Sequence, residues 1–158
     1  LFGLELSKEK TRILPFGRNC GTRETFDFLG FTHFNNKTRK GYYSVGHKIS
    51  RKKKKQFKSN LKKWVKENRD KQFDEFMKKL NKKLTGSFNY YSLSGMIREV
   101  RSLWIHSLYV TFKWMNRRSQ RRSFKLERFY VVWHERIIHP YIHVDIWSGG
   151  KVIYNKNV

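Results

Sequence analysis

The chain has 158 residues, enough for one domain or for one domain and part of another, and carries 36 Lys and Arg against 12 Asp and Glu, a formal net charge of +24. A surface that basic repels itself and makes physical sense beside a polyanion, with nucleic acid as the first candidate and an anionic membrane as the second. An aromatic content of 16% excludes a disordered basic tail, and the lone Cys20 excludes both a disulfide framework and a cysteine zinc site.

Residues 1–47 read as β-rich. Leu4 to Lys10 resembles a turn or helix end, and Arg12 to Phe16 a short strand closed by Pro15 and Gly17. Phe26, Phe28, Leu29, Phe31 and Phe34 form one apolar run of strand length. Asn35 to Gly41 supplies turn residues, and Tyr42 to His47 is the expected hairpin partner. The segment is too small to stand alone and reads as the last slice of a larger domain.

Composition changes at His47. Lys48 to Lys71 holds twelve Lys or Arg, opposed only by Glu67 and Asp70. Ser50 is the expected N-cap of a first helix, whose narrow apolar stripe is Phe57, Leu61, Trp64 and Val65. Phe73, Phe76, Met77, Leu80 and Leu84 predict a second helix, with Gly86 as its stop. Ile97, Val100, Trp104, Leu108, Phe112 and Met115 keep one face through a third, over Met96–Arg118. A fourth runs from about Ser123 to Ile137, with Leu126, Phe129, Tyr130, Trp133 and Ile137 as its stripe, and Pro140 ends it. In the tail, Ile142, Val144 and Ile146 alternate with polar residues, and Ser148-Gly149-Gly150 turns toward Val152 to Tyr154, a modest hairpin signal.

Catalytic signals are weak. Glu5 with Glu9 and Glu24 with Asp27 do not resemble the clustered carboxylates of a two-metal site, and solvated surface charge explains them. His134, Glu135 and His139 miss the i, i+4 spacing of a zinc-protease helix. Adding His143 and Asp145 makes a loose ligand set, the basis of a rival reading as a small metal-dependent nuclease. His33, His47 and His106 are isolated and read as structural.

Binding signals are stronger. A solvated helix face usually mixes signs to gain i, i+4 pairs, whereas the first helix repeats one sign, which phosphate neutralisation explains better. Arg51, Lys52, Lys53, Lys54, Lys55, Lys58 and Lys62 are its candidate contacts. Asn116, Arg117, Arg118, Gln120, Arg121 and Arg122 follow between helices three and four, where guanidinium forks suit phosphate oxygens. Cations at a helix C-terminus offer the bland account of one arginine pair. Phe88, Tyr90 and Tyr91 beside Asn89 form an aromatic knot after Gly86, equally suited to base stacking and to packing under a loop.

LFGLELSKEKTRI, FDFLGFTHF, the basic helix, FNYYSLSG and KWMNRRSQRRSF, in that order, together resemble the C-terminal part of a group II intron reverse transcriptase/maturase, from Leu1 to about Tyr130. The resemblance implies an α+β chain: a small antiparallel β remnant of a polymerase palm, a mainly α-helical thumb bundle and a short tail. It implies 1–47 as the end of the palm with its primer-grip region, 48–138 as the thumb or maturase-specific domain, and 139–158 as a tail. Lys10 would lie near the incoming nucleotide, and Phe28, Leu29, Gly30 and Phe31 would match the primer grip.

The family's Tyr-x-Asp-Asp box is absent from these residues, so Mg²⁺ is expected only in a polymerase site outside this chain, and the chain alone is expected to be inactive. Expected partners are intron RNA, template–primer duplex and the rest of the palm and fingers, with no membrane. A reducing location, the bacterial cytoplasm or an organelle, is expected. The alternative is a generic basic RNA-binding module without a link to reverse transcription.

Overall fold

A computed structural model describes residues 11, 13–21, 23–118, 123–145 and 151–152. The chain falls into two compact units, Leu1–His47 and Lys48–Val158. The arrangement is α+β: a three-stranded antiparallel sheet, then four helices and a short terminal strand pair.

In the first unit, β1 (Thr25–Phe28), β2 (Phe31–Lys37) and β3 (Tyr43–Ile49) lie in that order. The apolar run expected to be one strand is a hairpin, with Phe28 paired to Phe31 and Thr25 to Phe34. Its two-residue turn is Leu29-Gly30, with φ of 48° and 83°, the two positive values that a type I′ turn needs. A continuous apolar run hides such a turn, because Leu at a positive φ is rare.

The second hairpin turns at 38–41 as expected, with Thr38 N–H donating to the Tyr42 carbonyl at 2.8 Å. Gly46 of β3 is required by close approach: a Cβ there would meet the Phe34 ring at 2.4 Å. His33 and His47 meet through their Nδ1 atoms at 2.9 Å, and burial followed by the charge of His33 lowers the His47 pKa. Residues 13–16, expected in a strand, are not in one, and the Ile13 side chain is exposed. Proline at position 15 removes a backbone donor from any ladder there.

In the second unit α1 (Arg51–Asn68) begins at Ser50, whose hydroxyl accepts the Lys53 N–H at 3.4 Å. Leu61 and Val65 are its buried residues, and Trp64 packs on Phe76 with ring centroids 5.4 Å apart. The next helix, α2, spans Phe73–Tyr91 and runs through Gly86. The reason is packing. Leu80, Leu84, Phe88 and Tyr91 continue the same buried face past the glycine. Burying Phe88 alone stabilises by about 1.5–3 kcal/mol, more than the roughly 1 kcal/mol that glycine costs a helix interior.

Helix α3 (Ile97–Met115) buries Val100, Leu103, Trp104, Leu108 and Met115, and α4 (Leu126–Arg136) buries Phe129 and Trp133. Trp104 meets Trp133 edge-on at 6.0 Å, and Phe112 meets Phe129 at 5.6 Å. Leu126 and Tyr130, expected in the core, are exposed. With Ile105, Tyr109 and Val131 they line an open apolar groove of about 850 Å³ between α3 and α4.

Side chains of α2 and α3 hold the segment after α4. Trp104 Nε1 donates to the Ile138 carbonyl at 3.0 Å, and the Ile138 N–H donates to Asn81 Oδ1 at 2.8 Å. The tail then passes the α2–α3 connection, where His143 N–H donates to the Ser92 carbonyl at 2.7 Å. β4 (Val144–Asp145) pairs antiparallel with β5 (Lys151–Val152), and Val144 also bridges Leu93 in parallel. No helix among the described residues is long and apolar enough to cross a membrane.

Candidate nucleic-acid interface

The helical period fixes which α1 lysines can meet a ligand. Lys52 and Lys55 turn away from buried Leu61 and Val65, Lys62 stands at the edge of that outer face, and all three are exposed. Arg51 and Lys53 are exposed on the flanks, and Lys58 is half-buried. Lys54 differs: its Nζ donates to Glu99 Oε2 of α3 at 2.9 Å. That lysine, a candidate contact by sequence, is committed to the α1–α3 interface.

Several other candidates are also internally occupied. Tyr91 is buried at the end of α2, where burial and then Tyr90 raise its phenol pKa. Asn89 accepts the Tyr141 hydroxyl at 2.6 Å, so it secures the segment after α4. Because α2 extends to residue 91, the aromatic knot is helical: Phe88 is buried and Tyr90 is half exposed. Asn116 bridges the α3–α4 connection by accepting the Phe124 N–H at 2.8 Å and donating to the Phe124 carbonyl at 3.1 Å. Lys10, Gln120, Arg121 and Arg122 lie outside the described residues.

In the first unit Phe28, Leu29, Gly30 and Phe31 come together at the β1–β2 turn. Phe28 and Leu29 are exposed there, whereas Phe31 is buried. A hairpin tip with two exposed apolar side chains can rest against a ligand. The buried Phe31 holds it in place.

A second group of cations gathers around Trp114, near the C-terminal ends of α1 and α3. The Arg69 and Arg117 guanidinium carbons each lie 5.4 Å from the centre of its ring, and Lys66 Nζ lies 5.9 Å away. Arg118 Nη1 donates to the Arg69 carbonyl at 3.3 Å. Arg117 also lines a groove of about 670 Å³ with Lys113 and Lys125. Lys66, Arg69 and Trp114 were missed as candidates in the sequence, because their partnership joins two helices far apart in the chain.

The histidine set does not assemble as a metal site. The His134 and His139 rings pack at a tilt of 49° with centroids 4.6 Å apart, and the His139 Nε2 ring nitrogen lies 3.2 Å from the His134 carbonyl. His143 instead packs on Tyr141, and Asp145 accepts the Ser94 hydroxyl at 2.6 Å. Burial and then His139 lower the His134 pKa, which suits a packed neutral imidazole. Among the described residues no three or more His, Cys, Asp or Glu are grouped to hold a metal ion, and Asp27 accepts the Thr32 hydroxyl at 2.5 Å. The carboxylates described here therefore do not fit a polymerase Mg²⁺ site.

No curated protein and no solved structure matches the chain. The family described as "Group II intron, maturase-specific domain" matches residues 54–130, from the first turn of α1 into α4. That span contains Lys55 and Lys62 of α1, the Trp114 group and the α3–α4 connection. Residues 54–130 are therefore similar to the group II intron maturase-specific domain, consistent with the maturase region of a group II intron-encoded protein.

Proposed function

We propose that this chain is the RNA-gripping, maturase part of a group II intron-encoded protein, which holds intron RNA in a splicing-competent arrangement. The observation that carries this reading is the exposed row Lys52, Lys55 and Lys62 on α1, of which Lys55 and Lys62 fall within the span that matches the maturase-specific domain. Its mechanism is positioning. Lysines neutralise backbone phosphates, and rigid aromatic-packed helices fix where those charges stand.

Residues 1–47 are, in this reading, the end of a reverse-transcriptase palm whose β1–β2 turn approaches a primer. Bond-making belongs to residues outside this chain. RNA is the partner, as intron and as template–primer duplex.

The test is binding of the chain, at matched salt, to a group II intron RNA, a template–primer duplex and a scrambled RNA of equal length. Preference for the intron RNA and the duplex supports the reading. Equal binding to all three would reduce the chain to a generic basic RNA-binding module.

A further inference from the structure

The Trp114 group places four like charges together where electrostatics alone would spread them apart. Lys66, Arg69, Arg117 and Arg118 meet at the ends of two helices, and the carboxylate paired to the group is Asp70, 3.8 Å from Arg69 Nε. The nearby Glu67 is turned to Lys63, at 4.0 Å. Each helix C-terminus contributes about half a negative charge. Those two ends and Asp70 together leave about two positive charges unmatched. Arg69 Nε is buried and makes no hydrogen bond among the described residues, so a ligand would be met by the outer N–H groups of this guanidinium.

We propose that this group is a phosphodiester-binding subsite, separate from the lysine row, that takes two consecutive phosphates of an RNA strand. The proposal rests on the RNA-binding reading above. Trp114 is the organising element. Guanidinium groups over an indole ring lose rotational freedom while their N–H edges stay available, and such forks match phosphate oxygens. The adjoining groove sets Lys113, Arg117 and Lys125 against the single carboxylate of Glu127, a net positive lining that continues the path for a backbone held at Trp114. The ring thus matters for affinity although it carries no charge.

The experiment uses the full chain and the intron RNA, with affinity measured across salt. Trp114→Leu leaves net charge unchanged and is expected to weaken binding about three- to tenfold. Arg117→Gln, at an exposed residue, is expected to weaken it similarly and to lower the salt slope by about 1. Arg117→Lys, which keeps the charge without the planar fork, should fall between wild type and Arg117→Gln. The double variant should lose less than the product of the single losses. Should Trp114→Leu fail to fold, the two Arg117 variants still decide the matter. Wild-type binding with both Arg117 variants unchanged would overturn this subsite alone, as would Trp114→Leu folding and binding like wild type. Failure of the wild type to bind any RNA would overturn the general reading together with it.

Discussion

Lys54 of α1 donates to Glu99 of α3 at 2.9 Å, and this single contact divides the basic helix into two kinds of lysine. Glu99 sits in the first turn of α3, where the helix dipole favours a carboxylate, and both side chains are about one-third exposed. Lys54 is therefore part of the scaffold, while its neighbours Lys52 and Lys55 face outward. Lys54→Gln is expected to cost about 0.5–1 kcal/mol of stability, discounted for solvent screening, and to leave the salt dependence of RNA binding unchanged. Thermal melts together with binding titrations check both halves. A lowered salt slope with an unchanged melting temperature would place Lys54 on the ligand side.

Gly86 offers a test of why α2 is long. It is exposed, lies within the helix, and a Cβ there would meet nothing within 4 Å. Gly86→Ala should therefore stabilise the chain by about 0.5–1 kcal/mol through helix propensity alone. Chemical denaturation measures this directly. Destabilisation would mean that the helix stops at the glycine.

The helical unit should lose stability on mild acidification. His106 and His134 both have pKa values lowered from 6.5, His106 by burial and then the charge of Lys58, His134 by burial and then His139. A lowered folded pKa means that the unfolded chain binds the proton more readily. The stabilising contribution is thus fully present above about pH 6.5 and is lost as pH falls through the folded values. Melting temperature should decline between pH 7.5 and 5, and His106→Gln should flatten part of that decline. A melting temperature constant over this range would contradict the burial of these rings.

Much of this arrangement is legible in the sequence, and the failures have identifiable causes. Ser50 and the spacing of Leu61, Trp64 and Val65 announce α1, because a cap and a helical period are local signals. Gly86 misleads, since its local preference is outweighed by Phe88 and Tyr91, whose buried partners lie elsewhere. The Leu29-Gly30 turn is hidden inside an apolar run. Leu126 and Tyr130 keep helical spacing yet border an open groove, because period reports a face and not what covers it.

The candidate site divides in the same way. Exposed charge on α1 can be read from spacing. By contrast, the internal duties of Lys54, Asn89 and Asn116 depend on Glu99, Tyr141 and Phe124. The Trp114 group requires Lys66 and Arg69 of one helix end to meet Arg117 of another. No pattern within either segment announces that meeting.

The central claim is that the outward row of α1 grips RNA phosphates, and the salt dependence of intron RNA binding tests it most directly. Each phosphate contact contributes roughly 0.7–0.9 to the slope of log K against log salt. Replacing Lys52, Lys55 and Lys62 together with Gln should lower that slope by about 2–3 while leaving the melting temperature within a few degrees of wild type. A slope identical to that of wild type, measured on the same RNA with the variant folded, would contradict the account.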